Sequence, residues 1–160
     1  MNCLSFDVGG TTVKYGVIDE SFEVLKKDKI PTPDNEEKFI DSLSNIIQDN
    51  LPNVSKVSVA MPGYVNSANN KYLYGPHLQF DIDFSKLLNF TDYEFHLDND
   101  GNVAAYCEYF LNYKDKYSNL IMLTFGTGVG GGIISEGKLL RGRGNAGEIG
   151  HMLTSNDREV

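Results

Sequence analysis

The chain has 160 residues, enough for one domain of ordinary size with a real core, and a net charge of -8 without a basic stripe. That balance argues against nucleic acid as a partner. The longest apolar runs are strand-sized, which argues against a membrane span, and the chain enters a strand with no signal-peptide pattern; a cytoplasmic protein is expected.

Strands are predicted at Cys3 to Val8, Val13 to Ile18 and Phe22 to Ile30, a meander broken by Pro31-Thr32-Pro33. Asp34 with Glu37 forms a capping-box pattern. Phe39, Ile40, Leu43, Ile46, Ile47 and Leu51 then recur at helical spacing, so one helix face is buried. Val54 to Ala60 reads as a parallel strand leading into Met61-Pro62-Gly63-Tyr64-Val65. Asn69-Asn70-Lys71 is a turn, Ser85 to Asn89 a short helix and Tyr93 to Leu97 a strand. Gly101 to Tyr113 is a helix, with Val103, Ala104, Cys107, Phe110 and Leu111 expected on its apolar side. Cys3 and Cys107 fit no metal or redox spacing and are expected as buried free thiols. The order indicates an α/β fold with a mixed sheet.

Phe125 to Leu140 satisfies GxGxxG at Gly126, Gly128 and Gly131, yet no helix can follow as a dinucleotide site requires. The P-loop pattern also fails, because Leu139 stands where a hydroxyl is needed. The stretch reads instead as a β-hairpin with a glycine bend. Aligned on itself so that Gly10 meets Gly126, the chain also matches Val13 with Val129, Gly16 with Gly132, Ile18 with Ile134 and Glu20 with Glu136. Two copies of one device are therefore expected: strand, Gly/Thr bend, strand, acidic turn. Glycines let backbone N–H groups approach phosphate oxygens. Thr11, Thr12 and Thr127 add hydroxyls, and Asp7 stands where a carboxylate can hold Mg²⁺ directly or through water.

Asp100 lies between a strand and a helix, where the ligand crevice of an α/β sheet opens. It is a candidate general base for a hydroxyl attacking a phosphate, and equally a candidate helix cap. Glu148 and His151, three apart on a short helical turn, suit adjacent hydroxyls of a sugar or a solvated loop. His77 and His96 are expected to be structural.

DVGGTTVKYGVID, PGYV, NDGNVAAYCE, GTGVGGGII and GNAGEIGH, in this order, resemble the ROK family of sugar kinases and sugar-responsive repressors. The resemblance implies the actin-like, ribonuclease H-like superfold: a mixed sheet with flanking helices, then the first hairpin of a second, incomplete copy. It implies an N-terminal actin-like domain over 1–117 and the start of a second over 118–160. It further implies that Asp100 is the catalytic base and that Gly63, Asn99, Asp100, Glu148 and His151 bind sugar. Gly9, Gly10, Thr11 and Thr12, with Gly126, Thr127, Gly128, Gly130 and Gly131, would bind the phosphates of ATP, and Asp7 would lie near Mg²⁺. The family's zinc site, formed by the histidine of GEIGH and three later cysteines, is not completed in these residues. The expected activity is ATP-dependent phosphorylation of a hexose or glucoside, in a homodimer when complete, with these 160 residues inactive alone. A sugar-sensing repressor and a non-catalytic sugar-binding fragment are the competing readings.

Overall fold

The computed structural model describes residues 2–75, 77–87, 91–126 and 128–152. Thr127 and the expected helix end at Asn89 lie outside them. The described chain falls into two compact units, divided between Asp100 and Gly101.

In the first unit, β1 (Cys3–Val8), β2 (Thr12–Ile18) and β3 (Val24–Pro31) form the antiparallel meander. The third strand starts two residues later than the sequence suggests. Asp19 Oδ1 accepts from the amides of Ser21 and Glu23, and the resulting turn holds Phe22 at φ 64. Helix α1 (Glu36–Asn50) follows, capped by Asn35, whose side chain accepts from the Lys38 amide. The capping box predicted on Asp34 and Glu37 is therefore corrected: Asp34 instead pairs with Lys38 Nζ at 2.9 Å. β4 (Lys56–Met61) leads to a small antiparallel sheet of β5 (Tyr64–Asn66), β6 (Lys71–Tyr74) and β7 (Ile82–Asp83). A short helix α2 (Phe84–Leu87) and β8 (Glu94–Asn99) complete the unit. The main sheet has the order β3-β2-β1-β4-β8, with β1, β4 and β8 mutually parallel.

The alternation of β1 and β4 buries Leu4, Phe6, Val8, Val57 and Val59, and the α1 stripe of Phe39, Leu43 and Ile47 joins the same cluster. Burial of each such side chain contributes roughly 1.5–3 kcal/mol relative to exposure. This cluster fixes the register of β1, β4 and β8, and hence which residues reach their carboxyl ends.

Helix α3 (Asp100–Glu108) starts at the last residue of the first unit; in the second unit it passes into a π-helical turn over Tyr109–Tyr113, then β9 (Leu120–Phe125), β10 (Val129–Ser135) and β11 (Lys138–Leu139) form an antiparallel sheet. The β10–β11 turn uses Glu136 at φ 53 and Gly137 at φ 75, the two left-handed positions of a tight hairpin. The predicted apolar side of α3 is corrected. Val103, Cys107 and Leu111 are exposed, and Gly101, Asn102, Ala105 and Tyr109 face inward. The reason is close packing: a Cβ on Gly132 of β10 would lie 2.5 Å from Ala105 Cβ and 3.0 Å from the Gly101 carbonyl oxygen. Small residues thus set the contact beside Gly132, and Val103, Cys107 and Leu111 turn outward. Cys107 is an exposed thiol, and Cys3 is half-buried beside Ser5 and Ser58.

Candidate functional site

In the first unit, the ladder brings Asp7 beside Ala60, Ala60 beside Asp98 and Met61 beside Asn99. The carboxyl ends of the three parallel strands therefore place the Asp7 to Thr12 bend, the Pro62-Gly63 turn and Asn99-Asp100 along one sheet edge. This is where an α/β sheet opens its crevice. Strand β8 runs two residues further than expected, so Asp98 and Asn99 belong to the strand and Asp100 is the first residue of α3. Asn99 is 6% exposed, and its Nδ2 donates to the Gly63 carbonyl at 2.9 Å. Gly63 has φ 93, and a Cβ there would lie 2.5 Å from the Tyr74 carbonyl oxygen, so this turn admits no side chain. Asp100 itself is exposed. Its position in the first helical turn is favourable for a carboxylate whether or not it reacts.

The first glycine bend is pinned from below. The Gly9 amide donates to Thr12 O at 3.0 Å, Thr32 N donates to Thr11 O at 3.0 Å, and Thr32 Oγ1 donates to Gly9 O at 2.7 Å. Gly10 and Thr11 are exposed, and among the described residues their amides have no partner. Two unengaged N–H groups on a braced loop, one without a Cβ, fit an anionic phosphate. Asp7 is also exposed, and its Oδ2 lies 3.5 Å from Lys14 Nζ. Among the described residues no group of three or more His, Cys, Asp or Glu could hold a metal ion. A lone carboxylate fits Mg²⁺, which is commonly held by one or two carboxylates with substrate phosphates and water.

In the second unit, the β9–β10 bend closes with the Gly126 amide donating to Gly128 O at 2.9 Å. A Cβ on either glycine would meet nothing within 4 Å, so the tip is open. Gly131 is different: it is buried, and a Cβ on it would lie 3.3 Å from Gly147 O. A Cβ on Gly130 would lie 2.8 Å from Thr124 Oγ1. Gly147, a glycine of the GNAGEIGH loop, thus packs on the strand at Gly131. After it, Ile149–His151 forms a single 3₁₀ turn, and Glu148 Oε2 lies 3.8 Å from His151 Nε2. The two predicted sugar ligands are neighbours, His151 exposed and Glu148 half-buried.

Sequence reasoning missed Thr32, which ties the first bend down from a position after β3, and Lys14, opposite Asp7 in the β1–β2 ladder. Lys14 was legible in principle, because hairpin register follows from turn length. Thr32 was not, since nothing local marks a residue that bonds to a bend 23 positions earlier.

The sequence model of the ROK family matches residues 3–160. The chain is 32% identical over 154 residues to the glucokinase of Streptomyces coelicolor, covering 93% of this chain and 49% of that one. It is 33% identical over 158 residues to the N-acetylmannosamine kinase of Vibrio cholerae, covering 95% and 54%. Among solved structures, a ROK family glucokinase from Streptomyces griseus in complex with glucose and AMPPNP superposes with a TM-score of 0.83 at 31% identity, covering 98% of this chain and 52% of that chain. The chain spans about half the length of the curated relatives it matches. With the mixed sheet, the glycine bends and the match over nearly its whole length, the chain belongs to the ROK family.

Proposed function

We propose that this chain carries sugar and phosphate sites of an ATP-dependent hexose kinase of the glucokinase and N-acetylmannosamine kinase class. The observation that carries the reading is the sheet edge of the first unit. There the strand-end Asn99 is locked to Gly63, Asp100 follows it, and the bend whose Gly10 and Thr11 amides have no partner among the described residues leaves the parallel strand β1. The relatives are named as kinases of small sugars, and a neighbour is described with glucose and an ATP analogue, which supports the same substrates here.

On this reading Asp100 accepts the proton of the attacking sugar hydroxyl. That hydroxyl oxygen forms a bond to the γ-phosphorus as the bond to the β-phosphate oxygen breaks, releasing ADP. ATP supplies the phosphoryl group, and Asp7, directly or through water, would hold a Mg²⁺ ion whose charge would offset that of the phosphates. Asn99, Gly63, Glu148 and His151 orient the sugar. Gly9 to Thr12 and Gly126 to Gly131 supply donors to the phosphates. Among the described residues no helix is long and apolar enough to cross a membrane.

The test is Asp100→Asn in the complete protein. Asn keeps the shape but cannot take the proton, so turnover falls by ~10²–10⁴ while sugar affinity stays within a few fold. Retention of more than about half the activity identifies Asp100 as a helix-terminal charge only.

A further inference from the structure

Sequence patterning treats His77 as a structural loop residue, yet the fold sets it on the first glycine bend. A Cβ on Gly10 would lie 2.6 Å from Cγ and 2.9 Å from Nδ1 of His77, so the imidazole occupies the space a side chain at position 10 would fill. Gly10 is thus required by the neighbouring ring, with no left-handed φ to explain it. The loop carrying His77 is anchored on both sides. Tyr72 Oη donates to the Leu78 carbonyl at 3.2 Å, Leu78 is buried, and a Cβ on Gly75 would strike both Tyr72 Oη and the Pro62 carbonyl. The imidazole is exposed, and among the described residues it makes no hydrogen bond or ion pair. It packs on Gly10, whose amide, like that of Thr11, has no partner among the described residues.

We propose that His77 is a further anion-binding residue of the first glycine bend, adding an imidazole N–H to the Gly10 and Thr11 amides around a phosphoryl group. The inference rests on the reading of that bend as a phosphate loop and names a residue which that reading does not require. A braced loop limits the freedom lost when the ring engages an anion, and hydrogen bonds to an ionised acceptor are the stronger kind. The backbone amides fix where the anion sits, and the ring closes the side that Gly10 leaves bare.

The experiment is a titration of the isotope-labelled chain with inorganic tripolyphosphate, a probe without adenine or sugar. It is followed by the amide resonances of Gly10 and Thr11 and the imidazole Cε1–H of His77. All three are expected to move on one saturation curve. His77→Ala is expected to raise the dissociation constant about fivefold or more, and His77→Gln, which keeps an N–H donor, to recover most of the loss. If the two amides move while the His77 ring stays still, His77 is only a packing residue: the proposal fails and the phosphate reading of the bend stands. If none of the three moves, the bend holds no anion and both readings fail. Movement of the His77 ring with glucose but not tripolyphosphate makes it a sugar contact and overturns the proposal. The wild-type titration decides even if the alanine variant does not fold.

Discussion

Asn99 Nδ2 donates to the carbonyl of Gly63 at 2.9 Å, joining the end of β8 to a turn 36 residues earlier. Both groups sit at the sheet edge, and Asn99 is buried. The bond needs a donor at position 99. Asn99→Asp sets a carboxylate oxygen against a carbonyl oxygen, and the chain is expected to lose roughly 1–3 kcal/mol of stability near neutral pH. Burial raises the introduced carboxyl's folded pKa, and the protonated form can donate again. The loss relative to wild type is therefore smaller at pH 4 than at pH 8. Urea unfolding of both proteins at the two pH values checks this; a pH-independent difference would mean that the bond to Gly63 is not what matters.

Glu148 is half-buried next to His151, and it is proposed to accept sugar hydroxyls. Glu148→Ala in the complete protein is expected to weaken sugar binding by roughly 1.5–3 kcal/mol and to leave nucleotide binding nearly unchanged. Calorimetry with each ligand separates the two. A loss confined to ATP would assign this loop to the phosphates.

Gly132→Ala tests the contact that decides which face of α3 is buried. The added methyl meets Ala105 Cβ and the backbone of Gly101, neither of which is a flexible side-chain end. Destabilisation of about 1–3 kcal/mol is expected. Removing the opposing methyl with Ala105→Gly in the same chain should restore part of it, so the pair is non-additive. Additive effects in thermal unfolding would show that β10 and α3 do not meet at these residues.

Tyr72 gives a prediction in alkali. Burial pushes its phenol up to about 12 from an ordinary value of 10.0, and the hydroxyl donates to Leu78 O. Between pH 10 and 12 the unfolded chain releases this proton while the folded chain keeps it, so stability falls as pH rises through that window. Tyr72→Phe is expected to cost about 1 kcal/mol at pH 8 and to flatten this part of the fall. Tyr93, raised by burial and by Asp92, leaves a residual slope. An unchanged slope in Tyr72→Phe would place the alkaline sensitivity elsewhere.

Much of the first unit was legible because its signals are periodic. The alternation over Leu4, Phe6 and Val8 and the helical recurrence from Phe39 to Ile47 each admit one placement on a buried face. The strand-to-helix position of Asp100 was legible for the same reason. The inward face of α3 was not. Val103 and Leu111 outweigh Gly101 and Ala105 in any apolar count, but contact is governed by how closely Gly132 lets the backbones approach. His77 beside Gly10, and Thr32 beneath Gly9 and Thr11, are long-range neighbours that no local pattern encodes.

The two glycine bends differ in length by one residue. Two residues lie between Gly9 and Thr12, and one between Gly126 and Gly128. In extended chain a single residue is a change of parity. When the hairpins are matched letter for letter, Val13 is buried and its counterpart Val129 is exposed, whereas half-buried Ile18 corresponds to fully buried Ile134. Side chains on the strands before the bends keep their phase: Leu4 and Phe6 are covered, and so are the even positions Leu120 and Met122 in part, leaving Ile121, Leu123 and Phe125 outward. Identical letters beyond the bends therefore occupy opposite sides of their sheets. A chimera that set residues 13–18 in place of 129–134 would keep Val, Gly and Ile at the matched positions but bring Tyr15 to the site of Gly131, where a Cβ alone would lie 2.5 Å from the Met122 carbonyl oxygen, so segments that look interchangeable on paper are not.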